Sequence, residues 1–384
     1  MTRIDAPFLR DPALIAVLDA IEGGGHRALA VGGCVRNALI GVAADDVDIA
    51  TDAEPARVVE LVGAAGLRAV PTGIDHGTVT VVSGGTGFEV TTFRRDVETD
   101  GRRAVVAFSD RLEDDAARRD FTMNALYATR DGTVIDPVGG IADIAARHLR
   151  FVGAPRDRIT EDYLRILRLF RFLAWYGQTV DPDALAACAE LSGGLEIISR
   201  ERIGAEMRKL LAAPDPAPAM GLMVETGVLP HVLPGADPAA LPALVALERQ
   251  TGAGPHWPRR LAALAAPDVA EALRLSRPEA RAQDDLARAR DWPLAEAGFR
   301  LGEGPATDLA LIRAAGGAPL PPDWRDSIAR AAAAPLPIAA ADLMSDLSGP
   351  ALGRALAAAE AAWIASGFTL SRPDLIAAAR KAAP

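Results

Sequence analysis

The stretch that decides the fold runs from Leu29 to Thr51 and reads LAVGGCVRNALIGVAADDVDIAT. Its first residues are small and apolar, as in a buried strand, and a glycine pair then breaks the strand before helical spacing resumes at Cys34. A strand, a glycine turn and a helix start form an anion site, because backbone N–H groups converge there and glycine lets a ligand approach the backbone. Arg36 adds a guanidinium fork that suits phosphate. The stretch therefore predicts a phosphate site at Gly33 and Arg36.

A second strand is predicted over Asp46-Val47-Asp48-Ile49, shortly after the glycine turn. Side chains alternate along a strand, so we expect Asp46 and Asp48 on one face and Val47 and Ile49 in the core. Two adjacent carboxylates beside a phosphate site can seat Mg²⁺ together with a triphosphate. Each feature alone has a structural alternative, a packed turn or a solvated strand. Their combination in one strand–turn–helix–strand unit favours the functional interpretation.

The composition limits the class of protein. The chain has 384 residues, enough for two or more domains, and no apolar run reaches the ~18 residues of a membrane span. Two cysteines, Cys34 and Cys188, give neither a disulfide framework nor metal-ligand spacing, and these features together predict a cytoplasmic protein. The net charge of −10 weakens an RNA-binding role without refuting it, because phosphate affinity depends on how Lys and Arg are distributed.

Four motifs carry a resemblance to a known family. GG-x-V-R followed by D-x-D, then RRDFTMNALY at 118–127 and EDYLRILRLFRF at 161–172, resemble the nucleotidyltransferases that add CCA to tRNA and the related bacterial poly(A) polymerases. SRERIGAE at 199–206 is a weaker fourth match. The resemblance implies an enzyme that adds C, C and then A to the tRNA 3′ end from CTP and ATP, without a nucleic-acid template.

The resemblance also implies an α+β fold in three parts. A nucleotidyltransferase head, a small mixed β-sheet with helices, is expected over residues 1–148. An all-α neck over 149–212 would recognise the nucleobase, and an all-α body and tail over 213–384 would bind tRNA. The sequence does not predict an oligomeric state.

Five residues receive roles in catalysis and triphosphate binding from the resemblance. Asp46 and Asp48 would be the catalytic carboxylates and would bind Mg²⁺. Gly33, Arg36 and Arg119 would hold the triphosphate, because backbone N–H groups and guanidinium groups suit phosphate oxygens.

Base recognition is assigned to a helix predicted over Glu161–Tyr176. The resemblance implies that Asp162 accepts from the exocyclic amine of C or A while Arg165 donates to the ring, with Arg168 and Arg171 holding phosphate or orienting this template. Spacings of three place the four residues on one slowly rotating face, and the structural alternative is an ion-paired, solvated helix. Apolar residues cover the other faces, so unpaired arginines there would be costly and a ligand would offset the cost.

Three further polar residues have two interpretations each. Asp120 and Asn124 either contact ribose or orient an arginine, or they cap a helix. The resemblance favours nucleotide contact. Glu89, on a strand predicted over 88–92, is a candidate third carboxylate, with a solvated strand glutamate as the alternative.

One residue departs from the family pattern, in which aspartate usually follows V-R. Here Asn37 occupies that position, and an asparagine cannot form an ion pair with Arg36. A nucleotide- or RNA-binding protein with little transferase activity therefore stays an alternative. Among the enzymes, a poly(A) polymerase and an A-adding enzyme stay alternatives too.

Overall fold

The computed structural model describes residues 2–44, 46–100 and 103–382. The chain divides into two compact units, the first ending at Val232 and the second beginning at Leu233. Every described strand lies in the first unit, and the second is helical. The predicted α+β class with a small mixed N-terminal sheet is therefore confirmed. The finer division at residues 148 and 212 stays a prediction.

The strands of the first unit are short, and most belong to one sheet. They are β1 (Ala28–Val31), β2 (Asp48–Thr51), β3 (Arg68–Gly73), β4 (Thr78–Ser83), β5 (Thr86–Thr92), β6 (Arg94–Asp100), β7 (Arg103–Phe108), β8 (Tyr127–Ala128), β9 (Val134–Ile135), β10 (His148–Leu149) and β11 (Thr179–Val180). Seven strands form a mixed sheet in the order β3-β4-β5-β2-β1-β8-β9, in which only β2 and β5 pair in parallel among the described strands. Strands β6 and β7 form an antiparallel hairpin. Strands β10 and β11 form a parallel pair, in which β10 crosses the predicted boundary at residue 148 and β11 lies in the region predicted as an all-α neck.

The helices account for most of the remaining chain. Those of the first unit are α1 (Pro12–Glu22), α2 (Gly33–Leu39), α3 (Pro55–Ala64), α4 (Leu112–Ala117), α5 (Gly140–Ala145), α6 (Pro155–Glu161), α7 (Leu164–Tyr176), α8 (Pro182–Glu190), α9 (Arg200–Leu211), α10 (Ala217–Glu225) and α11 (Leu229–Val232). Those of the second unit are α12 (Leu241–Thr251), α13 (Trp257–Ala263), α14 (Val269–Ala272), α15 (Arg277–Arg288), α16 (Leu294–Leu301), α17 (Glu303–Ala315), α18 (Trp324–Ala332), α19 (Gly349–Ala365) and α20 (Arg372–Lys381). None of the described helices combines the length and the apolar character that a membrane span requires.

The central strand β1 is buried on both faces, which explains its small apolar residues. Ala28 packs with α1, α3, β4 and β5, whereas Leu29 and Val31 face the opposite cluster around Phe93 and Tyr127. Because side chains alternate along a strand, the two cores hold the sheet from both sides. The end of β1 is thereby fixed next to the glycine turn.

The second predicted strand begins two residues later than expected. It was predicted over 46–49, but β2 spans Asp48–Thr51, and Asp46 precedes it. The reason is register, because Val31, the last residue of β1, pairs with Asp48 and the chain then turns away at Gly32. The predicted alternation is confirmed, since Ile49 is fully buried while Asp46 and Asp48 are exposed.

The helix predicted over Glu161–Tyr176 is wrong at its start. Helix α6 ends at Glu161 and α7 begins at Leu164, with Asp162 extended between them at φ −156° and ψ 104°. The Asp162 carboxylate accepts from the N–H of Leu164 at 3.1 Å, so it satisfies a free donor at the start of α7. Asp162 therefore does not share a helical face with the three arginines.

Candidate active site

The glycine turn has a backbone that only glycine adopts readily. Gly32 lies at φ 75° and ψ −120°, a conformation that is unfavourable for residues with a Cβ atom. Its N–H donates to the carbonyl of Leu126 at 2.9 Å, and its own carbonyl accepts from the N–H of Arg36 at 3.0 Å. The turn is therefore held on one side by Leu126, the residue before β8, and on the other by the first turn of α2.

Two arginine side chains flank this turn. A Cβ atom on Gly32 would lie 3.4 Å from Nη1 of Arg119, and one on Gly33 would lie 3.7 Å from Nη2 of Arg36. The structure thus brings together the three residues predicted to hold a triphosphate. Both guanidinium groups approach the backbone closely because the glycines carry no side chain.

Arg36 is a buried cation whose hydrogen-bond partners, among the described residues, are neutral. Arg36 is 7% exposed, and its guanidinium donates to Oδ1 of Asn37, Oδ1 of Asn124 and the hydroxyl of Tyr176. The Tyr176 ring lies 4.1 Å below the guanidinium carbon. Burial lowers the pKa of Arg36, and Tyr176 and Asp120 oppose this effect. A buried guanidinium without a bonded carboxylate favours an anionic ligand.

Arg119 has the opposite environment. Its Nε and Nη2 atoms donate to Oδ2 of Asp115 at 3.1 and 2.9 Å, and Nε also donates to the Tyr127 hydroxyl at 3.2 Å. Burial alone would lower the pKa of Arg119, but the ion pair with Asp115 more than offsets this and raises it. Arg119 therefore carries a permanent charge in a fixed orientation.

The carboxylates form an acidic group at the start of β2. Parallel pairing of Ile49 with Val90 sets Asp48 beside Glu89 on the neighbouring strand. Partial burial, then the charges of Glu89 and Asp46, raise the pKa of Asp48, while Arg119 lowers it. Such mutual repulsion would be relieved by a hard cation, for which carboxylate oxygens are suitable ligands. In the described part of the chain, which omits Asp45, no group of three His, Cys, Asp or Glu side chains is placed to hold a metal ion.

Asp120 and Asn124 connect the glycine turn to α7. Asn124 donates from Nδ2 to Oδ1 of Asp120 at 3.0 Å, while its own Oδ1 accepts from Arg36. The other oxygen of Asp120 accepts from Nε of Arg168 at 2.8 Å. Burial would raise the pKa of Asp120, but Arg168 and the hydrogen bond from Asn124 bring it down to about 2. Both residues therefore orient arginines in this structure.

The residues predicted to read the base are engaged with protein partners. Asp162 pairs with Arg202 at 2.7 Å. Arg165 pairs with Glu161 and donates from Nη2 to the carbonyl of Arg118 at 3.3 Å.

Arg171, which follows Arg165 and Arg168 on α7, is ion-paired as well. Nε of Arg171 lies 3.2 Å from Oε2 of Glu206, and burial lowers the pKa of Arg171 while Glu206 opposes this. Each of the three arginines of this helix is therefore ion-paired, because carboxylates from other segments lie against it.

Sequence reasoning missed four residues that position the predicted ones. Asp115 holds Arg119, Tyr176 holds Arg36, and Arg202 and Glu206 of the weak fourth motif hold Asp162 and Arg171. Asp115 could have been found, because it stands four residues before Arg119 at helical spacing. The others depend on contacts between distant segments.

Two family models match the chain. Residues 28–150 match the Poly A polymerase head domain, and residues 177–240 match the probable RNA and SrmB-binding site of polymerase A. The first range includes the glycine turn, the carboxylates and the RRD segment described above.

Individual relatives are similar to the same region. The chain is 44% identical over 214 residues to CCA tRNA nucleotidyltransferase 1, mitochondrial, of Mus musculus, covering 54% of this chain and 49% of the mouse protein. It is 41% identical over 246 residues to the CCA-adding enzyme of Geobacillus kaustophilus, covering 64% of this chain and 58% of that enzyme. The matches thus span about half the length of these curated relatives.

Structural similarity extends further along the chain. The fold matches the crystal structure of the Bacillus stearothermophilus CCA-adding enzyme in complex with CTP with a TM-score of 0.72 and 31% identity. The match covers 94% of this chain and 94% of that one, so it includes the second, helical unit.

Proposed function

Because this chain belongs to the family of nucleotidyltransferases that contains the CCA-adding enzymes and the poly(A) polymerases, we propose that it adds C, C and then A to the 3′ end of tRNA. CTP and ATP would be the substrates, and no nucleic-acid template would be needed. The observation that carries this proposal is that the guanidinium groups of Arg36 and Arg119 lie against the backbone of the two glycines, close to Asp48. The CTP in the similar Bacillus structure supports the choice of nucleotide.

We propose Asp46 and Asp48 as the catalytic carboxylates and as the residues that hold Mg²⁺. The acidic surroundings of Asp48 fit a divalent cation, because adjacent carboxylates repel one another without one. When bound, Mg²⁺ would neutralise phosphate oxygens and favour ionisation of the RNA 3′-hydroxyl.

The phosphate-binding residues would act mainly by position and charge. Gly33, Arg36 and Arg119 would hold the triphosphate so that the 3′-oxygen attacks the α-phosphorus in line and pyrophosphate leaves. Charge accumulates on the phosphate oxygens in such a reaction, and fixed guanidinium groups stabilise it. Burial of both arginines strengthens that interaction.

Base selection would rest on Asp162 and Arg165. A carboxylate accepts from the exocyclic amine of C or A, whereas U and G offer a carbonyl there. Arg168 and Arg171 would support nucleotide binding from α7, which also carries Arg165, and Arg168 would do so through its bond to Asp120. We further propose that 149–212 is the base-recognising neck, that 213–384 binds tRNA and that the protein acts in the cytoplasm.

Incorporation of nucleotides by the purified protein tests this function. The substrate would be tRNA ending at its discriminator base, with Mg²⁺ and with ATP and CTP supplied singly and together. Two C followed by one A, abolished by Asp46→Ala, is the expected product. The same reaction without Mg²⁺, and with other divalent ions, tests the cofactor.

Other products would indicate a different function. Long A tails would indicate a poly(A) polymerase, and A added only to tRNA ending in CC would indicate an A-adding enzyme. CTP binding without any incorporation would indicate a nucleotide-binding protein and would overturn the transferase.

A further inference from the structure

Asp115 is a buried carboxylate that holds two consecutive arginines at once. It lies in α4, is 1% exposed, and accepts at Oδ1 from Nε and Nη2 of Arg118 at 2.9 and 2.7 Å. Its Oδ2 accepts from Nε and Nη2 of Arg119 and from the Tyr127 hydroxyl at 2.7 Å. Five hydrogen bonds fix the carboxylate and both guanidinium groups, and hydrogen bonds between charged groups are stronger than neutral ones.

The contact with Asp115 determines which nitrogen of Arg119 faces the glycine turn. Nε and Nη2 are engaged with Asp115, so Nη1 is the nitrogen that lies beside Gly32. Rotation of this guanidinium would move its charge away from the glycine turn.

The same carboxylate reaches the predicted base-reading residues through the backbone. Asp115 holds the side chain of Arg118, and the carbonyl of Arg118 accepts from Nη2 of Arg165 at 3.3 Å. One side chain therefore supports Arg119 directly and Arg165 through one further residue.

We propose that Asp115 is a positioning residue that sets the orientation of Arg119 for the triphosphate and supports Arg165 for the base. This inference rests on the proposed function, because it assigns ligands to the two arginines from that proposal. Asp115 itself would touch neither the nucleotide nor the metal. Its one negative charge against two guanidinium groups leaves the cluster positive, which suits a triphosphate.

The test compares Asp115→Asn with a structurally matched change in the second unit. Glu248 is 2% exposed and also holds two consecutive arginines, accepting from Arg259 Nε at 2.8 Å and from Arg260 Nη2 at 2.7 Å. Glu248→Gln therefore removes an equivalent buried charge outside the first unit. Thermal unfolding of both variants controls for lost stability.

Binding of CTP and of inorganic tripolyphosphate is measured for each protein by calorimetry, beside KM and kcat for incorporation. For Asp115→Asn we expect the Kd for tripolyphosphate and the KM for CTP to rise about tenfold, because an amide cannot hold both guanidinium groups. For Glu248→Gln we expect both to stay within about twofold of wild type, since the two arginines that Glu248 holds belong to the second unit, whereas those that Asp115 supports belong to the first. Tyr127→Phe removes one bond to Asp115 and should raise both values by about threefold while keeping the fold.

Several results would overturn the inference. Folded Asp115→Asn with wild-type tripolyphosphate binding would do so, as would equal losses in Asp115→Asn and Glu248→Gln. If Asp115→Asn does not fold, wild-type binding by Tyr127→Phe overturns it instead. Wild-type protein that binds tripolyphosphate without incorporating nucleotides would refute the proposed function alone, whereas failure to bind tripolyphosphate would refute both.

Discussion

The amide oxygen of Asn37 accepts two hydrogen bonds from the guanidinium of its neighbour Arg36, at 3.2 Å from Nε and 2.9 Å from Nη2. The Asn37 amide nitrogen donates in turn to the carbonyl of Ala43 at 3.1 Å. The side chain thus holds the arginine by hydrogen bonding, without an ion pair. The departure from the family's aspartate therefore leaves an acceptor in place for Arg36.

Substitution of Asn37 should separate hydrogen bonding from charge. Asn37→Asp keeps an acceptor for both guanidinium nitrogens, so we expect the KM for CTP within about threefold of wild type. Asn37→Ala leaves buried donors of Arg36 without a partner, and we expect the KM to rise about tenfold. Steady-state incorporation kinetics check both, and equal KM values for Asn37→Ala and wild type would contradict the role.

Gly32→Ala should damage the phosphate site more than a comparable glycine change elsewhere. A Cβ atom there meets Nη1 of Arg119 at 3.4 Å and is also strained by the positive φ. Gly85 likewise has a positive φ, of 86°, but open space around it. We expect both alanine variants to lose about 1–3 kcal/mol of unfolding free energy, because a positive φ is unfavourable for alanine, and only Gly32→Ala to weaken CTP binding. Urea unfolding and CTP titration measure the two effects, and equal CTP affinity would refute this.

Glu89→Gln should shift the acid limb of the activity profile to lower pH. Partial burial is the first cause of the raised pKa of Asp48, and the charge of Glu89 is the next. Removing that charge lowers the pKa of Asp48, so its ionised form persists at lower pH. The dependence of kcat/KM on pH measures this shift, with Glu60→Gln, at an exposed ion pair on α3, as the control. An unchanged acid limb would argue against coupling of the two carboxylates.

Asp120 should stabilise the fold in a defined pH range. Its pKa of about 2 in the folded state lies below the unfolded value, so its ionised form favours folding. This contribution is complete above about pH 4 and disappears as the pH falls through about 2. The shift corresponds to roughly 2 kcal/mol, so Asp120→Asn should lose about that much near pH 7 and progressively less below pH 4. Urea unfolding across this range measures it, and a pH-independent loss would contradict the assignment.

Asp162→Asn should relax the choice of base. An amide offers a donor as well as an acceptor, so it can bond to the carbonyl of U or G. We expect the preference for CTP over UTP, measured as a ratio of kcat/KM values, to fall about tenfold or more. Because Asp162 pairs with Arg202, the Arg202→Gln variant controls for the loss of that ion pair. Unchanged discrimination in Asp162→Asn would remove this residue from base recognition.

Local sequence patterns predicted the parts of this site that depend on local structure. The apolar run before the glycine pair and the alternation around Asp48 predicted strand, turn and the exposure of the carboxylates. The start of β2 was not predicted correctly, because it depends on where the partner strand β1 ends. Contacts between distant residues were missed for the same reason. Arg168 bonds Asp120 across 48 positions and Arg202 bonds Asp162 across 40, and neither pairing is visible as a local period.

The bond between Arg36 and Tyr176 spans 140 positions of the chain. The arginine beside the glycine turn is thus enclosed by the last residue of α7, which lies far beyond the sheet in sequence. During synthesis from the N-terminus, the sheet residues emerge long before this partner does. The surroundings of Arg36 are therefore completed only after the ribosome has passed residue 176.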